Sequence, residues 1–407
     1  MGVLRLRDFR LLLGAQAVSV LGDRMVAIAL AFAVIELGGS ASEIGIVLAV
    51  RTLPMIGTLL IGGVVADRVS RRAVMVAADL TRLLTQGAIG VLLVTGAAEV
   101  WMLALLSGFT GAATGFFNPA STGLLPSIVP PERLQEANGV RATALSGGEI
   151  AGPAVAGVLI AAFGPGWALT LDALTFAASA LLLLRLRVPE REARAAPSTF
   201  LADLREGWGM FRSLTWVWTF VLAASASNLV WGAWTTLGPV IAERDLGGAA
   251  AWGTVLGAMG IGALVGGLLA VRVRSRRPLV LASLIYALFA LPFAFLAVGA
   301  PVGLLAIGSL FAGIAMMLGN SVWEATLMRH VPRAALSRVS AYDWFGSIAF
   351  QPLGLVIWGP IAALIGISAS LWVAFACVLV TTAFLIASPA IRELRDEAPP
   401  PAAQPAV

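Results

Sequence analysis

Apolar runs of about 20 residues or more recur along the whole chain, centred on residues 23, 55, 84, 112, 150, 176, 228, 260, 288, 314, 351 and 378. Each is long enough to cross roughly 30 Å of hydrocarbon as a helix. Lipid leaves no backbone polar group unsatisfied at low cost, so only helices and closed barrels span it. A barrel would need alternating segments of about 10 residues instead. The pattern predicts an all-α membrane protein with twelve transmembrane helices. Composition agrees: 59% of the 407 residues are apolar and 12% are charged, against roughly 25% charged in soluble domains. Residues Met1 to Arg10 are basic, and the apolar run behind them continues to about Leu37 without a small-residue cleavage site. That reads as a retained first span, not a signal peptide.

Every one of the 27 basic residues is arginine. Without lysine there is no phosphate-binding loop of the G-x-x-x-x-G-K-[ST] type, so ATP could act only through a separate subunit. Lysine Schiff-base chemistry is excluded as well. One histidine, His330, and one cysteine, Cys377, make neither a multi-histidine metal site nor an internal disulfide. No cofactor and no metal are expected. The pI near 10.7 would suit nucleic acid, but most of the arginines fall between the spans. One set of loops holds Arg5, Arg7 and Arg10, then Arg68, Arg71 and Arg72, Arg133, several from Arg185 to Arg212 and from Arg272 to Arg277, then Arg329, Arg333, Arg338, Arg392 and Arg395. The alternate loops hold almost none, Arg244 excepted. By the positive-inside rule both termini are expected in the cytoplasm, and no nucleic-acid partner is expected.

The organisation reads as residues 1–187 for a first six-helix bundle, 188–212 for a cytoplasmic linker, 213–390 for a second bundle and 391–407 for a disordered tail. Within the linker, Phe200, Leu201, Leu204, Trp208 and Phe211 suit a short helix on the membrane surface. Two loops argue for duplication. Gly62-Gly63-Val64-Val65-Ala66-Asp67-Arg68-Val69-Ser70-Arg71-Arg72 returns about 204 residues later as Gly266 to Arg277, glycines and arginines kept, without a carboxylate at the Asp67 position. Asn118, Leu125, Val129, Pro130 and Leu134 match Asn320, Leu327, Val331, Pro332 and Leu336 at a constant offset of 202. Repeats of this kind build one large group of secondary transporters, with the substrate site between halves near mid-membrane.

At these residues the chain resembles the major facilitator superfamily. Gly63-Val64-Val65-Ala66-Asp67-Arg68-Val69-Ser70-Arg71-Arg72 is similar to the loop motif G-x-L-A-D-R-x-G-R-[KR], departing at Val65 and Ser70. Gly148-Glu149-Ile150-Ala151-Gly152-Pro153-Ala154-Val155-Ala156-Gly157 resembles the fifth-span motif G-x-x-x-G-P-x-x-G-G of drug/proton antiporters, with Ala156 in place of one glycine. Phe116 to Ala120, Leu125 to Pro130, Glu132 to Gly139, Gly22-Asp23 and Leu171-Asp172-Ala173-Leu174-Thr175-Phe176 are similar to the macrolide-efflux and enterobactin-exporter subgroup. One departure concerns the fourth span, which lacks the arginine that many superfamily drug/proton exporters carry there.

A charge at bilayer mid-depth costs at least about 2.5 kcal/mol, so each needs a partner, a wet cavity or a function. Asp23 and Glu149 lie near the centres of the first and fifth spans, which the family fold places around the cavity, and are the expected proton-coupling groups. Their structural alternative is an ion pair, Asp23 with Arg51 or Glu149 with Arg141. Gln16, Ser19 and Asp23 share a helix face at i, i+3, i+7. With Arg51, Asn118, Glu149, Asn228, Trp231, Asn320, Glu324 and Gln351 they form the expected substrate cavity. Asp79 with Arg82 reads as a structural pair at i, i+3, and Asp172 as structural too. Trp101, Trp167 and Trp252 read as interfacial anchors. Glu324 and Asp343, the latter in the first turn of the eleventh span, read as an inner gate network with Arg329, Arg333 and Arg338. Asp67, with Gly63, Arg68, Arg71 and Arg72, is expected to latch onto the N-terminal end of that eleventh span near Asp343. Gly148, Gly152, Pro153 and Gly157 read as close helix packing that also seals against proton leak.

The resemblance implies export of hydrophobic or amphipathic small molecules, such as drugs and macrolide-like compounds, in exchange for protons by alternating access. It implies a monomer in a bacterial cytoplasmic membrane and not an enzyme. Two other readings stay open: a dedicated siderophore or secondary-metabolite exporter, and a non-transporting receptor or scaffold on the same fold.

Overall fold

The structure is a computed structural model. It describes residues 2–187, 208–273 and 275–395, without the side chains of residues 60, 63, 64, 66, 67, 333–335, 337, 338 and 341. The described residues are helical almost throughout. Six long helices come first: α1 (Arg7–Glu36), α2 (Ala41–Arg68), α3 (Arg71–Val94), α4 (Val100–Ile128), α5 (Leu134–Phe163) and α6 (Pro165–Leu184). There follow α7 (Thr215–Ile241), α8 (Ala249–Ala270), α9 (Pro278–Tyr286), α10 (Leu291–Ala297), α11 (Val302–His330), α12 (Arg333–Ala349), α13 (Gln351–Ile365), α14 (Ile367–Ala387) and the short α15 (Pro389–Arg392). A 3-10 turn over Ala287–Ala290 joins α9 to α10. Among the described residues, eleven helical segments are long and apolar enough to cross a membrane. The uncharged α7 is not one of them, because its tryptophans, serines, threonines and Asn228 lower its hydropathy. Most of the expected linker and tail lies outside the described residues.

Local chemistry sets the helix ends. Ser40 and Glu43 form a capping box at the start of α2: the Ser40 N–H donates to Glu43 Oε2 at 2.8 Å, and the Glu43 N–H to Ser40 Oγ at 3.4 Å, which satisfies two orphan donors. A single residue, Gly164, separates α5 from α6. It holds φ +85°, where a side chain would be strained, and Pro165 then starts α6 with its fixed φ. Arg244, the exception to the arginine topology, donates to Asp245 at 2.8–3.0 Å. Those hydrogen bonds hold the Asp245 carboxyl below its usual range, so the pair adds no net charge to its loop.

The chain divides into two compact units. The first comprises Met1–Arg194, Trp231–Gly260 and Pro352–Ser370. In it α2 packs on α4, α3 on α6 and α4, and α1 on α5 and α6. Glycines allow close approach: a Cβ at Gly115 would stand 2.5 Å from the Met55 carbonyl, and one at Gly62 2.8 Å from that of Gly115. Thr58 Oγ1 donates across the same contact to the Ala112 carbonyl at 2.9 Å. The C-terminal part of α7, most of α8, and α13 belong to this unit as well. Trp252, expected as an interfacial anchor, is 2% exposed and packs on the buried Trp234 with ring centroids 4.6 Å apart. Trp101 and Trp167 are exposed. The second unit comprises Ala195–Val230, Ile261–Gln351 and Leu371–Val407. There α11 packs on α9 and α10, and Phe220 stacks on Trp323 at 4.1 Å. Large apolar side chains such as Leu84, Val158, Leu181 and Leu364 face outward, a surface that suits hydrocarbon.

Candidate functional site

Inside the first unit, polar residues from six helices converge on the middle of α1. Gln16, Ser19 and Asp23 do share a face, and the first two are buried. Gln16 donates through Nε2 to Ser121 Oγ on α4 and accepts from Arg141 Nε on α5 at 2.7 Å. Asp23 takes two guanidiniums: Arg51 Nη2 of α2 donates to Oδ1 at 3.3 Å and Arg82 Nη1 of α3 to Oδ2 at 3.4 Å. The pair with Arg51 was one of the two readings of Asp23. Arg82 is the addition that helix-face spacing missed.

Arg82 is 1% exposed, and its guanidinium carbon sits 4.3 Å from the Phe117 ring centroid and 4.2 Å from that of Phe176. Two ring faces stabilise a desolvated cation by about 2 kcal/mol or more. Its Nη2 also pairs with Asp79 Oδ1 one turn earlier, and Asp79 Oδ2 accepts from Ser179 Oγ of α6 at 2.7 Å. The fourth span carries no arginine, but its Phe117 flanks one supplied by α3. Asp79, Arg82 and Gln86 follow at i, i+3, i+7, the spacing already used on α1. Gln86 Nε2 donates to Asp172 Oδ2 at 3.0 Å, and Asp172 is fully buried on α6. Asp79, Arg82, Gln86, Ser179 and Asp172 thus extend the site expected around Asp23.

Glu149 stands apart from this network. Its partner is Arg24 at 2.5 Å, not Arg141, and both side chains are 53% exposed. An exposed pair contributes about 0–1 kcal/mol. The glycines around it serve two neighbours. A Cβ at Gly148 would meet the Leu21 nitrogen at 3.1 Å, and one at Gly152 the Leu21 carbonyl at 2.9 Å, so α5 lies against α1 there. A Cβ at Gly157 would stand 2.7 Å from the Ala249 carbonyl and 2.8 Å from Gly253 Cα, so its far end lies against α8. Gly253 in turn faces the Pro153 carbonyl. Gly157→Leu is expected to part α5 from α8. A cysteine placed at the buried Ala249 in a Cys377→Ser background should then react several-fold faster with a maleimide; an unchanged rate would contradict this account.

The other expected residues scatter. Gly63 and Asp67 lie outside the described side chains, so the latch is not described. Arg71 donates to the Gly123 carbonyl and Arg72 to that of Leu184, tying the start of α3 to α4 and α6, and Arg68 is exposed. Asp343 is not in a first turn: α12 begins at Arg333, directly after Pro332. The helix N-terminus expected at Asp343 therefore lies almost three turns earlier. Asp343 Oδ2 accepts from Trp323 Nε1 at 3.0 Å, and among the described residues neither Asp343 nor the exposed Glu324 forms a salt bridge. The side chains of Arg333 and Arg338 lie outside the description. Asn320 Oδ1 accepts from Tyr286 Oη. Asn118 is exposed, Gln351 is half-buried, and Asn228 donates to the Ala224 carbonyl of its own helix at 3.1 Å. Trp231 lies 6.4 Å from Trp234 between ring centroids.

The sequence profile of the Major Facilitator Superfamily matches residues 12–349. The multidrug efflux pump Tap of Mycolicibacterium fortuitum is 29% identical over 410 residues, covering 94% of this chain and 96% of that protein. Macrolide efflux protein A of Streptococcus pyogenes is 24% identical over 230 residues, 56% of each chain. A crystal structure of a nucleoside transporter NupG variant superposes with TM-score 0.77 at 14% identity, over 92% of this chain and 99% of that one; at that identity the likeness is one of fold.

Proposed function

Because the chain belongs to the major facilitator superfamily, we propose that it exports hydrophobic or amphipathic small molecules, drugs and macrolide-like compounds among them, in exchange for protons by alternating access. It does so as a monomer in a bacterial cytoplasmic membrane, through twelve spans with both termini in the cytoplasm. The uncharged 27-residue α7, about 40 Å long at 1.5 Å per residue, is the twelfth span beside the eleven apolar ones. Like the transporters it resembles, and unlike an enzyme, the chain needs only binding and movement.

The observation that carries this reading is Asp23: a carboxylate on the polar face of the first span, held between Arg51 and Arg82. A receptor or scaffold has no need to pay for such a group at bilayer depth. Near-full-length similarity to the Tap pump supports the substrate class. Under the arginine topology, the Gly157 to Gly253 contact lies towards the outer face. So does that of Gly232 on α7 with the Gly354 backbone, and both support a state closed to the outside.

The test is transport by purified full-length protein in liposomes, with ethidium and erythromycin as probes. Uptake into the liposomes should rise with an imposed interior-acid pH gradient and vanish when nigericin collapses it. No movement of either probe, with or without the gradient, would favour a dedicated metabolite exporter or a receptor.

A further inference from the structure

The polar centre of the first unit contains three carboxyl groups, Asp23, Asp79 and Asp172, and two guanidiniums, Arg51 and Arg82. Fully ionised, it would carry one uncompensated negative charge. The partners show where that charge would rest. Asp79 has Arg82 on one oxygen and Ser179 on the other. Asp23 has a guanidinium on each. Asp172 has no guanidinium within ion-pair distance among the described residues. Its Oδ2 accepts one neutral hydrogen bond from Gln86, and Thr175 Oγ1, which donates to the Asp172 carbonyl at 2.7 Å, is 3.5 Å from Oδ1.

Asp172 and Gln86 are both fully buried. A carboxylate so placed with one neutral donor is strongly disfavoured, and such groups take up a proton instead. Gln86 offers the other half of the arrangement: its Oε1 is buried without a hydrogen-bond partner. Amide N and O are assigned by their surroundings, so a half-turn of the amide would present that acceptor to a proton on Asp172. The carboxyl also lies against the first span at the residue before Asp23. A Cβ at Gly22 would collide with Asp172 Oδ1 and come within 2.5 Å of Thr175 Oγ1.

We propose that Asp172 and Gln86 form a proton seat, occupied in this state, which makes the five-residue charge cluster neutral and which exchanges its proton with Asp23 across Gly22. In the exchange the O–H bond on Asp172 breaks as one on Asp23 forms, and the charge of the cluster is unchanged. The charged groups facing the seat are Asp23 on α1, Arg51 on α2, and Asp79 with Arg82 on α3. On α5, Arg141 is held by Gln16 and Glu149 by Arg24. Neither α4 nor the rest of α6 carries a charged residue. The seat follows from charge balance; its part in transport rests on the proton-exchange reading above.

Infrared spectroscopy of the full-length protein in lipid tests the seat without any substrate. Wild type should show a protonated-carboxyl C=O stretch at neutral pH that is absent in Asp172→Asn and displaced in Gln86→Leu. A band left unchanged in both variants overturns the seat. If Asp172→Asn does not fold, the Gln86→Leu spectrum decides alone: displacement supports the seat and an unmoved band overturns it. Ethidium transport then separates the two claims. In wild type it should respond to the pH gradient, and in Asp172→Asn it should lose that response. A full response in Asp172→Asn overturns the exchange step. A wild type with the band but no response to the gradient overturns the proton-exchange reading and leaves the seat standing.

Discussion

Asp23→Asn is expected to abolish uphill efflux on a pH gradient while downhill exchange of ethidium between equal pH compartments continues. Asparagine keeps the size of the side chain and, through its single amide oxygen, one of the two hydrogen bonds accepted from Arg51 and Arg82, but it can neither take up nor release a proton. What is lost is the link between the proton's free energy and the movement of the substrate. Each proton exchanged across one pH unit supplies about 1.4 kcal/mol, or roughly tenfold in a gradient. The steady-state ethidium gradient under an imposed pH difference should fall by about that factor per pH unit. Glu149→Gln provides the contrast, since its exposed pair with Arg24 stands outside the network around Asp23. If the Asp23 variant accumulated ethidium as steeply as wild type, Asp23 would not be the coupling group.

The second large effect concerns stability. Arg82→Met is expected to destabilise the protein by about 3–5 kcal/mol, the usual consequence of removing one member of a buried ion pair. The cost arises because Asp79, fully buried, keeps only Ser179, and because Phe117 and Phe176 lose the cation between them. Neutralising the stranded partner should recover much of it. Arg82→Met with Asp79→Leu should therefore be more stable than the sum of the single variants implies, a coupling that a double-mutant cycle reads directly. Unfolding in mixed micelles, followed by tryptophan fluorescence, provides the measurement. A single variant within about 1 kcal/mol of wild type would mean that the network behaves like a solvent-exposed pair. Distance alone ranks these interactions wrongly: Arg24 to Glu149 is 2.5 Å and Arg51 to Asp23 is 3.3 Å, yet the first is open to solvent.

Much of the helical plan was legible in the apolar runs, because each span must satisfy its own backbone and announces itself by length. The polar face of α1 was legible too, since residues at i, i+3 and i+7 share a face whatever surrounds them. What helix spacing does not contain is which helix each face meets. Asp79 with Arg82 reads locally as a closed pair, so Arg82's second bond to Asp23, 59 residues earlier, leaves no trace in either segment. Asp172 reads from the sequence only as a structural group, because its neighbour Gln86 is on α3 and the glycine that admits it is on α1. Asp343 was misplaced because Pro332 starts α12 in a stretch whose polarity reads as loop. Trp252 was misread because a tryptophan near a loop looks the same whether it faces lipid headgroups or another tryptophan.

The glycine contacts of the first unit also bear on speed. Where α5 meets α8 at Gly157 and Gly253, and α7 meets α13 at Gly232 and Gly354, bare backbone rests on bare backbone. No side chain has to leave a slot or cross a rotamer barrier when such faces part. Each atom pair contributes only about 0.1–0.2 kcal/mol of dispersion, and the attraction declines smoothly with separation. Under the alternating access proposed above, a closure built this way would be tight but not interlocked, and its opening rate would follow the charges that favour or oppose it more than friction at the contact.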